Sequence, residues 1–230
     1  MTETINIRCK NNKKIGKITK GSTIFDAYNK LNVSLPYPPI CAKVNNKVQS
    51  LSTTLYKDYD IEFLDITSSS GSRAYCRSLF FVLSKAVRDI FPDTPVVIDI
   101  PVSNGYYCYL DTDRKITKRD VDRIRRQMQK IIDAHLPFKK IEALTEDAIK
   151  LFEERRDPSK VKLLKSLGTI YTHYYDLDGY YDFYYGALVE NTADLYLFGL
   201  EKYFDGILLR TPSKQNPQEL GELIQQPKMF

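Results

Sequence analysis

Apolar residues in the first 66 positions fall into short runs alternating with polar ones, the pattern of strands half-buried in a sheet. INIRC and KIGKITKG are two such runs, separated by a turn-forming NNK. GSTIFDAYNKLN switches to helical spacing, with Ile24, Tyr28 and Leu31 on one face and Thr23 placed to cap the start against Asp26. CAKVNNKVQSL reads as a hairpin, because Asn45 and Asn46 tolerate the left-handed backbone of a tight turn. YDIEFLDI closes the set as another strand.

SSSGS at residues 68–72 interrupts this pattern and is expected to be a short linker. A helix is predicted from about Arg73 to Phe91, with Tyr75, Leu79, Val82, Leu83, Ala86 and Ile90 as its apolar stripe. VVIDIPV and GYYCYLD read as neighbouring strands turning at Asn104-Gly105. Thr117 to Ala134 is the plainest helix, capped by Thr117 with Asp120 and burying Val121, Ile124, Met128 and Ile131. Two shorter helices, TEDAIKLFEE opened by Thr145 and then PSKVKLLKSL, precede strands in the tyrosine-rich stretch, DLYLFGLEKY and GILLR. From Thr211 the chain turns polar and proline-marked, and is expected to end without packing. The fold class expected is α+β: a β-grasp domain over residues 1–67, a larger α+β domain over 73–212, and a polar tail over 213–230 leading to a further C-terminal domain.

Composition narrows the function without naming it. A chain of 230 residues with 43% hydrophobic and 27% charged residues has the balance of a soluble globular protein. No apolar run approaches the ~20 residues that cross a bilayer, so a cytoplasmic location and no membrane partner are expected. Cys9, Cys41, Cys76 and Cys108 form no CxxC pair and His135 and His173 are the only imidazoles, so no metal site is expected. Seventeen tyrosines and no tryptophan point to ring packing, much of it between Tyr171 and Tyr185.

A net charge of +5 permits an anionic partner. Arg119, Arg123, Arg126 and Lys130 recur along one face of the Thr117 helix. Two readings of that row stay open. It tracks a nucleic-acid phosphate backbone, or it is a solvated face relieved by Asp120, Asp122 and Asp133. Lys10, Lys13, Lys14, Lys17 and Lys20 add positive charge to the first strands.

The GSTIFDAYNKL helix, the CAKVNNKVQSL hairpin and the YDIEFLD strand resemble the TGS domain, a β-grasp module found in threonyl-tRNA synthetases and some GTPases. SLFFVLSKAVRDIFPDTPVVIDIPVSNGYYCYLD, ITKRDVDRIRRQMQKII and YYGALVENTADLYLFGL resemble the editing domain that follows it in threonyl-tRNA synthetase. That domain uses an HxxxH helix and a CxxxH loop on mischarged tRNA; the matching positions here are Arg77 and Phe81, then Tyr184 and Leu188. Arginine stays protonated, phenylalanine and leucine offer no lone pair, and tyrosine is a poor base at neutral pH. Deacylation by the usual residues is therefore not expected. The same pair of domains with the metal-type residues replaced resembles the N-terminal region of bacterial nucleoside kinases of the uridine kinase type, on SSSGSRAYCRSLFFVLSKA, YYDFYYGALVENT and GLEKYFDGILLRTP. This resemblance implies a non-catalytic, ligand-binding and regulatory region of an ATP-dependent kinase. ATP and Mg would belong to a kinase domain elsewhere, since no GxxxxGK[ST] phosphate loop occurs in this chain.

If the editing cleft persists, Arg77, Tyr106, Tyr107, His173, Asp182, Tyr184 and Tyr185 are expected around it, with an anionic or nucleoside-like ligand. Arg77 holds a phosphate or carboxylate, or it pairs with Asp182. His173 is drawn to Asp176, although no nucleophile accompanies the pair. The competing readings are a tRNA-binding module without deacylase activity, an editing enzyme using Asp182 and His173 instead, and an oligomerisation element built on the tyrosine-rich sheet.

Overall fold

In the computed structural model, which describes residues 3–223, the first apolar alternation forms β1 (Thr4–Cys9) and β2 (Ile15–Thr19). In β1 the residues Ile5, Ile7 and Cys9 point inward while Thr4, Asn6 and Arg8 face out. α1 (Ile24–Lys30) starts at the expected capping box, with Thr23 and Asp26 bonding each other's backbone amides. β3 (Cys41–Val44) and β4 (Lys47–Gln49) flank Asn45 and Asn46, whose φ angles of 46° and 67° are the left-handed pair read from the sequence. β5 (Tyr59–Leu64) runs parallel to β1, giving a five-stranded sheet in the order β2-β1-β5-β3-β4. Ile24 and Ala27 of α1 join Ile7, Ile18, Leu55, Ile61 and Phe63 in its core. Each of these buried Ile, Leu and Phe side chains contributes about 1.5–3 kcal/mol.

The expected linker at 68–72 is instead the beginning of α2 (Ser69–Ile90). Ser68 caps it by accepting the Gly71 amide at 3.0 Å. A Cβ at Gly71 would lie 1.9 Å from the Asp65 carbonyl oxygen, so only glycine allows the β5–α2 turn to close this tightly. Serine marks both linkers and helix caps, and here the caps win. β6 (Val96–Val102) and β7 (Gly105–Leu110) form the next hairpin. Its left-handed pair is Ser103 and Asn104, at φ 50° and 54°, one residue earlier than expected; Gly105 opens β7. α3 (Lys118–Asp133) has the predicted Thr117–Asp120 capping box and buried face.

Pro137–Tyr185 form a separate unit, the remainder of the chain (Met1–Leu136 with Gly186–Phe230) forming the other. The separate unit contains β8 (Lys139–Leu144), α4 (Thr145–Glu154), α5 (Pro158–Leu167), β9 (Tyr171–Leu177) and β10 (Tyr180–Asp182), with strands in the order β10-β9-β8. β8 is a strand that the apolar pattern does not announce. Thr145 opens α4 as expected, as its first helical residue, and its buried hydroxyl has no partner among the described residues. The core is Ala148, Phe152, Leu164 and Phe183. Tyr174 packs edge-on to both Phe152 and Tyr181, so these tyrosines do serve as cross-strand packing.

The chain then returns to the larger unit through one 3-10 turn (Thr192–Asp194), β11 (Gly199–Tyr203) and β12 (Gly206–Arg210). DLYLF is not part of β11, which starts only at Gly199. These strands complete a four-stranded sheet in the order β11-β12-β7-β6. The Thr192 hydroxyl donates to the Ile131 carbonyl at 3.0 Å and accepts the Leu136 amide at 2.9 Å, tying the turn to the end of α3. Tyr75 on α2 bonds both the carbonyl and the amide of Leu197.

The tail after Thr211 packs, contrary to expectation. Pro212 bridges to Leu220, the Tyr196 hydroxyl donates to the Pro217 carbonyl at 2.8 Å, and Arg210 donates to the Gly221 carbonyl at 2.6 Å. Backbone acceptors hold it, which polar composition does not reveal. Residues 224–230 of the expected tail lie outside the described residues. Among the described residues, no helix is long and apolar enough to cross a membrane.

Candidate functional site

The four positions matching the HxxxH and CxxxH motifs have different fates. Arg77 and Phe81 lie one turn apart on α2, and Phe81 is fully buried, as is Leu188. Arg77 donates from Nε and Nη2 to the Ala187 carbonyl oxygen, at 3.1 and 2.7 Å. Next to it, Ser78 accepts the Val189 amide at 2.9 Å. Two neighbouring α2 side chains thus hold the backbone of the 186–189 loop. Gly186 adopts φ 105°, and a Cβ there would lie 3.2 Å from Arg77 Nη2, so a side chain would be strained and crowded at once. For Arg77, expected to hold an anion or to pair with Asp182, the structure adds a backbone carbonyl as partner. A guanidinium, a phenyl ring and an aliphatic chain supply no proton acceptor. Among the described residues, no group of three or more His, Cys, Asp or Glu side chains is arranged to hold a metal ion.

Tyr106 and Tyr107 cannot line one cleft, because successive β7 residues face opposite sides of the sheet. Tyr106 packs edge-on to Phe80 of α2 at 4.8 Å between ring centres. Tyr107 lies on the other face with Val102, Tyr203 and Leu208. Beside Tyr106 is a groove of about 860 Å³ whose lining includes Ser72, Cys76, Tyr106, Thr211 and Lys214. Burial pushes the Tyr106 phenol up to about 12, with Cys76 adding to the rise, while Arg73 and Arg77 pull it down. Burial also raises the Cys76 thiol, against hydrogen bonds with Tyr106, Thr211 and Ser72. Neither group is a ready base or nucleophile at neutral pH. Cys41 and Cys108, both buried, are each raised by burial to about 12 and are inert in the same way.

His173, Asp182, Tyr184 and Tyr185 belong to the Pro137–Tyr185 unit. Asp182 is paired with Lys160 at 2.5 Å and accepts the Phe183 amide at 2.6 Å. The same Lys160 ammonium lies over the Tyr184 ring, 5.4 Å from its centre. Tyr185 is exposed and packs edge-on to Phe183. His173 is exposed and faces Glu142 across the β8–β9 ladder, 3.4 Å away. Asp176, its expected partner, instead accepts the Gly179 amide in the β9–β10 turn. His173 and Asp182 thus each have a partner of their own, Glu142 and Lys160. The unexpected β8 is the cause: KKIEAL carries alternating Ile141 and Ala143, a weak signal that would have supplied Glu142.

On α3, Arg119, Arg123, Arg126 and Lys130 are all exposed. The acids expected to relieve them are engaged elsewhere. Asp120 is buried and bonded to Thr117 and to Arg114 at 2.9 Å, Asp122 pairs with Arg125 at 3.7 Å, and Asp133 accepts from Gln129. Burial pushes the Asp120 carboxyl up, but Arg114 and Thr117 together outweigh it and hold the group at about 2. The Arg123 guanidinium stacks over the Phe91 ring, 5.4 Å from its centre, beside that of Arg114. In the N-terminal sheet, Lys20 pairs with Glu3, Arg8 with Asp60 and Lys43 with Glu62, while Lys10 donates to Asn46.

No protein-family model matches the chain. It is similar to threonine–tRNA ligases: 30% identical over 147 residues to that of Desulforamulus reducens, covering 64% of this chain and 23% of the ligase. It is 27% identical over 187 residues to that of Acetivibrio thermocellus, covering 81% of this chain and 29% of the ligase. Against that of Clostridium kluyveri it is 29% identical over 163 residues, or 71% and 25%. None of these three is a kinase. The chain is thus an α+β protein similar to threonine–tRNA ligases, spanning about a quarter of the length of the relatives it matches.

Proposed function

We propose that this chain is a tRNA-binding module related to threonyl-tRNA synthetase that does not hydrolyse the aminoacyl ester. The observation that supports this most is the replacement at the motif positions. In a chain similar to threonine–tRNA ligases, the helix carries Arg77, bonded to the Ala187 carbonyl, and a buried Phe81, while the loop carries a buried Leu188. Water activation needs a metal or a base of suitable pKa, and none of these side chains supplies either. The N-terminal sheet, with its parallel β1–β5 pair and packed α1, fits the TGS-like β-grasp reading of residues 1–67.

The test is equilibrium binding of tRNA to the whole chain as salt is varied. Binding should weaken linearly on a log–log plot, by about 0.7–0.9 per phosphate contact. Salt-independent or undetectable binding removes the reading.

The same replacements are what the nucleoside-kinase resemblance implies. That reading rests on the resemblance alone, whereas the ligase relatives favour the tRNA-related one. A GxxxxGK[ST] loop encoded beside this region, with ATP-dependent phosphorylation of a nucleoside by the joined protein, would restore it.

A further inference from the structure

Arg119, Arg123, Arg126 and Lys130 span eleven residue-to-residue rises of ~1.5 Å along the helix, so their row is ~16 Å long. One strand of a duplex places a phosphate every ~3.4 Å along its axis, so such a row faces about five phosphates. Among the described residues neither Arg119 nor Lys130 makes an ion pair, and the only hydrogen bond of Arg126 goes to the Asp122 carbonyl. Arg123 is held on the Phe91 ring without a carboxylate, so its orientation is fixed while its charge stays uncompensated. The helix beneath is anchored by its capping box and by Val121, Ile124, Met128 and Ile131.

We propose that α3 is the RNA-contacting surface of this protein, lying along a phosphate backbone with Arg119, Arg123, Arg126 and Lys130 as its contacts. This rests on the tRNA-binding reading and adds where and how the RNA is held. Phosphate contacts carry no sequence information, so this surface sets affinity and orientation while leaving base identity unread. The outward face of the N-terminal sheet is the weaker alternative, since Arg8 and Lys43 are matched across strands by Asp60 and Glu62.

The experiment compares tRNA binding by the whole chain and by the variant Arg119→Gln/Arg123→Gln/Arg126→Gln/Lys130→Gln from about 50 to 200 mM salt. The log–log slope should fall by about 3 units, with the same loss of affinity for an unrelated RNA duplex. A Lys13→Gln/Lys14→Gln/Lys17→Gln variant should keep the wild-type slope. All four α3 side chains are exposed, so an unchanged melting curve is expected. If the fourfold variant fails to fold, Arg119→Gln/Lys130→Gln alone should lower the slope by about 1.5 units. Wild-type binding whose slope survives the α3 substitutions overturns this proposal and leaves the tRNA-binding reading standing. Absent wild-type binding overturns both.

Discussion

Arg77 and Ala187, 110 residues apart in sequence, are joined by two hydrogen bonds from one guanidinium to one carbonyl oxygen. Arg77 stands at an expected histidine position, and the carbonyl belongs to the loop where the CxxxH motif would lie. The charge at this site therefore fixes backbone. Removing it leaves the Ala187 carbonyl without these donors in a partly buried place, which costs more than the net value of a neutral hydrogen bond. Arg77→Ala should destabilise the chain by about 2–3 kcal/mol, read from denaturant midpoints at unchanged slope. Gly186→Ala should cost about 1–3 kcal/mol through its positive φ. Wild-type stability in both variants would mean that the clamp contributes nothing.

Glu190 gives a second test, in pH. Its carboxylate accepts the Ser52 amide at 2.8 Å, joining the 186–195 segment to the loop after β4. Burial raises Glu190 and nearby Asp194 above the ordinary carboxylate range, more than their backbone bonds lower them. For a raised carboxyl the folded state disfavours ionisation. The contribution of these two carboxyls should therefore be least unfavourable where both states are protonated and should turn destabilising as pH rises from ~4 through the raised values. Glu190→Gln should flatten part of that decline. Midpoints measured across this range would contradict the account if variant and wild type ran parallel.

Asp120 behaves in the opposite sense. Held at about 2 by Arg114 and Thr117, it contributes stability above ~4 that is lost as pH falls toward 2. Asp120→Asn should cost about 1–2 kcal/mol at neutral pH and shrink the acid-side loss. An acid limb unchanged in the variant would show that the capping box adds no pH-dependent stability.

These groups also show what the sequence reveals and what it hides. Thr23–Asp26, Thr117–Asp120 and Asn45-Asn46 act through neighbours in sequence, so α1, α3 and the β3–β4 hairpin are legible in the order of residues alone. SSSGS misleads because serine serves both linkers and caps, and what decides between them is Asp65 pressed against Gly71. The tail misleads because it is held by its own backbone carbonyls, which accept from the Tyr196 hydroxyl and the Arg210 guanidinium and leave no apolar signature. In the candidate site, the absence of histidines is plain from the motif positions, but the acceptor for Arg77 is not. A backbone carbonyl 110 residues away has no residue type to read. Tyr106 and Tyr107 are adjacent in sequence and both aromatic, yet strand alternation sends them to opposite faces.

The most direct measurement of the central claim is to incubate the whole chain with Ser-tRNA at low salt, following complex formation and the aminoacyl ester in the same sample. Salt-sensitive complex with the ester lost no faster than in buffer is the predicted result. Accelerated release of serine by the chain would contradict it.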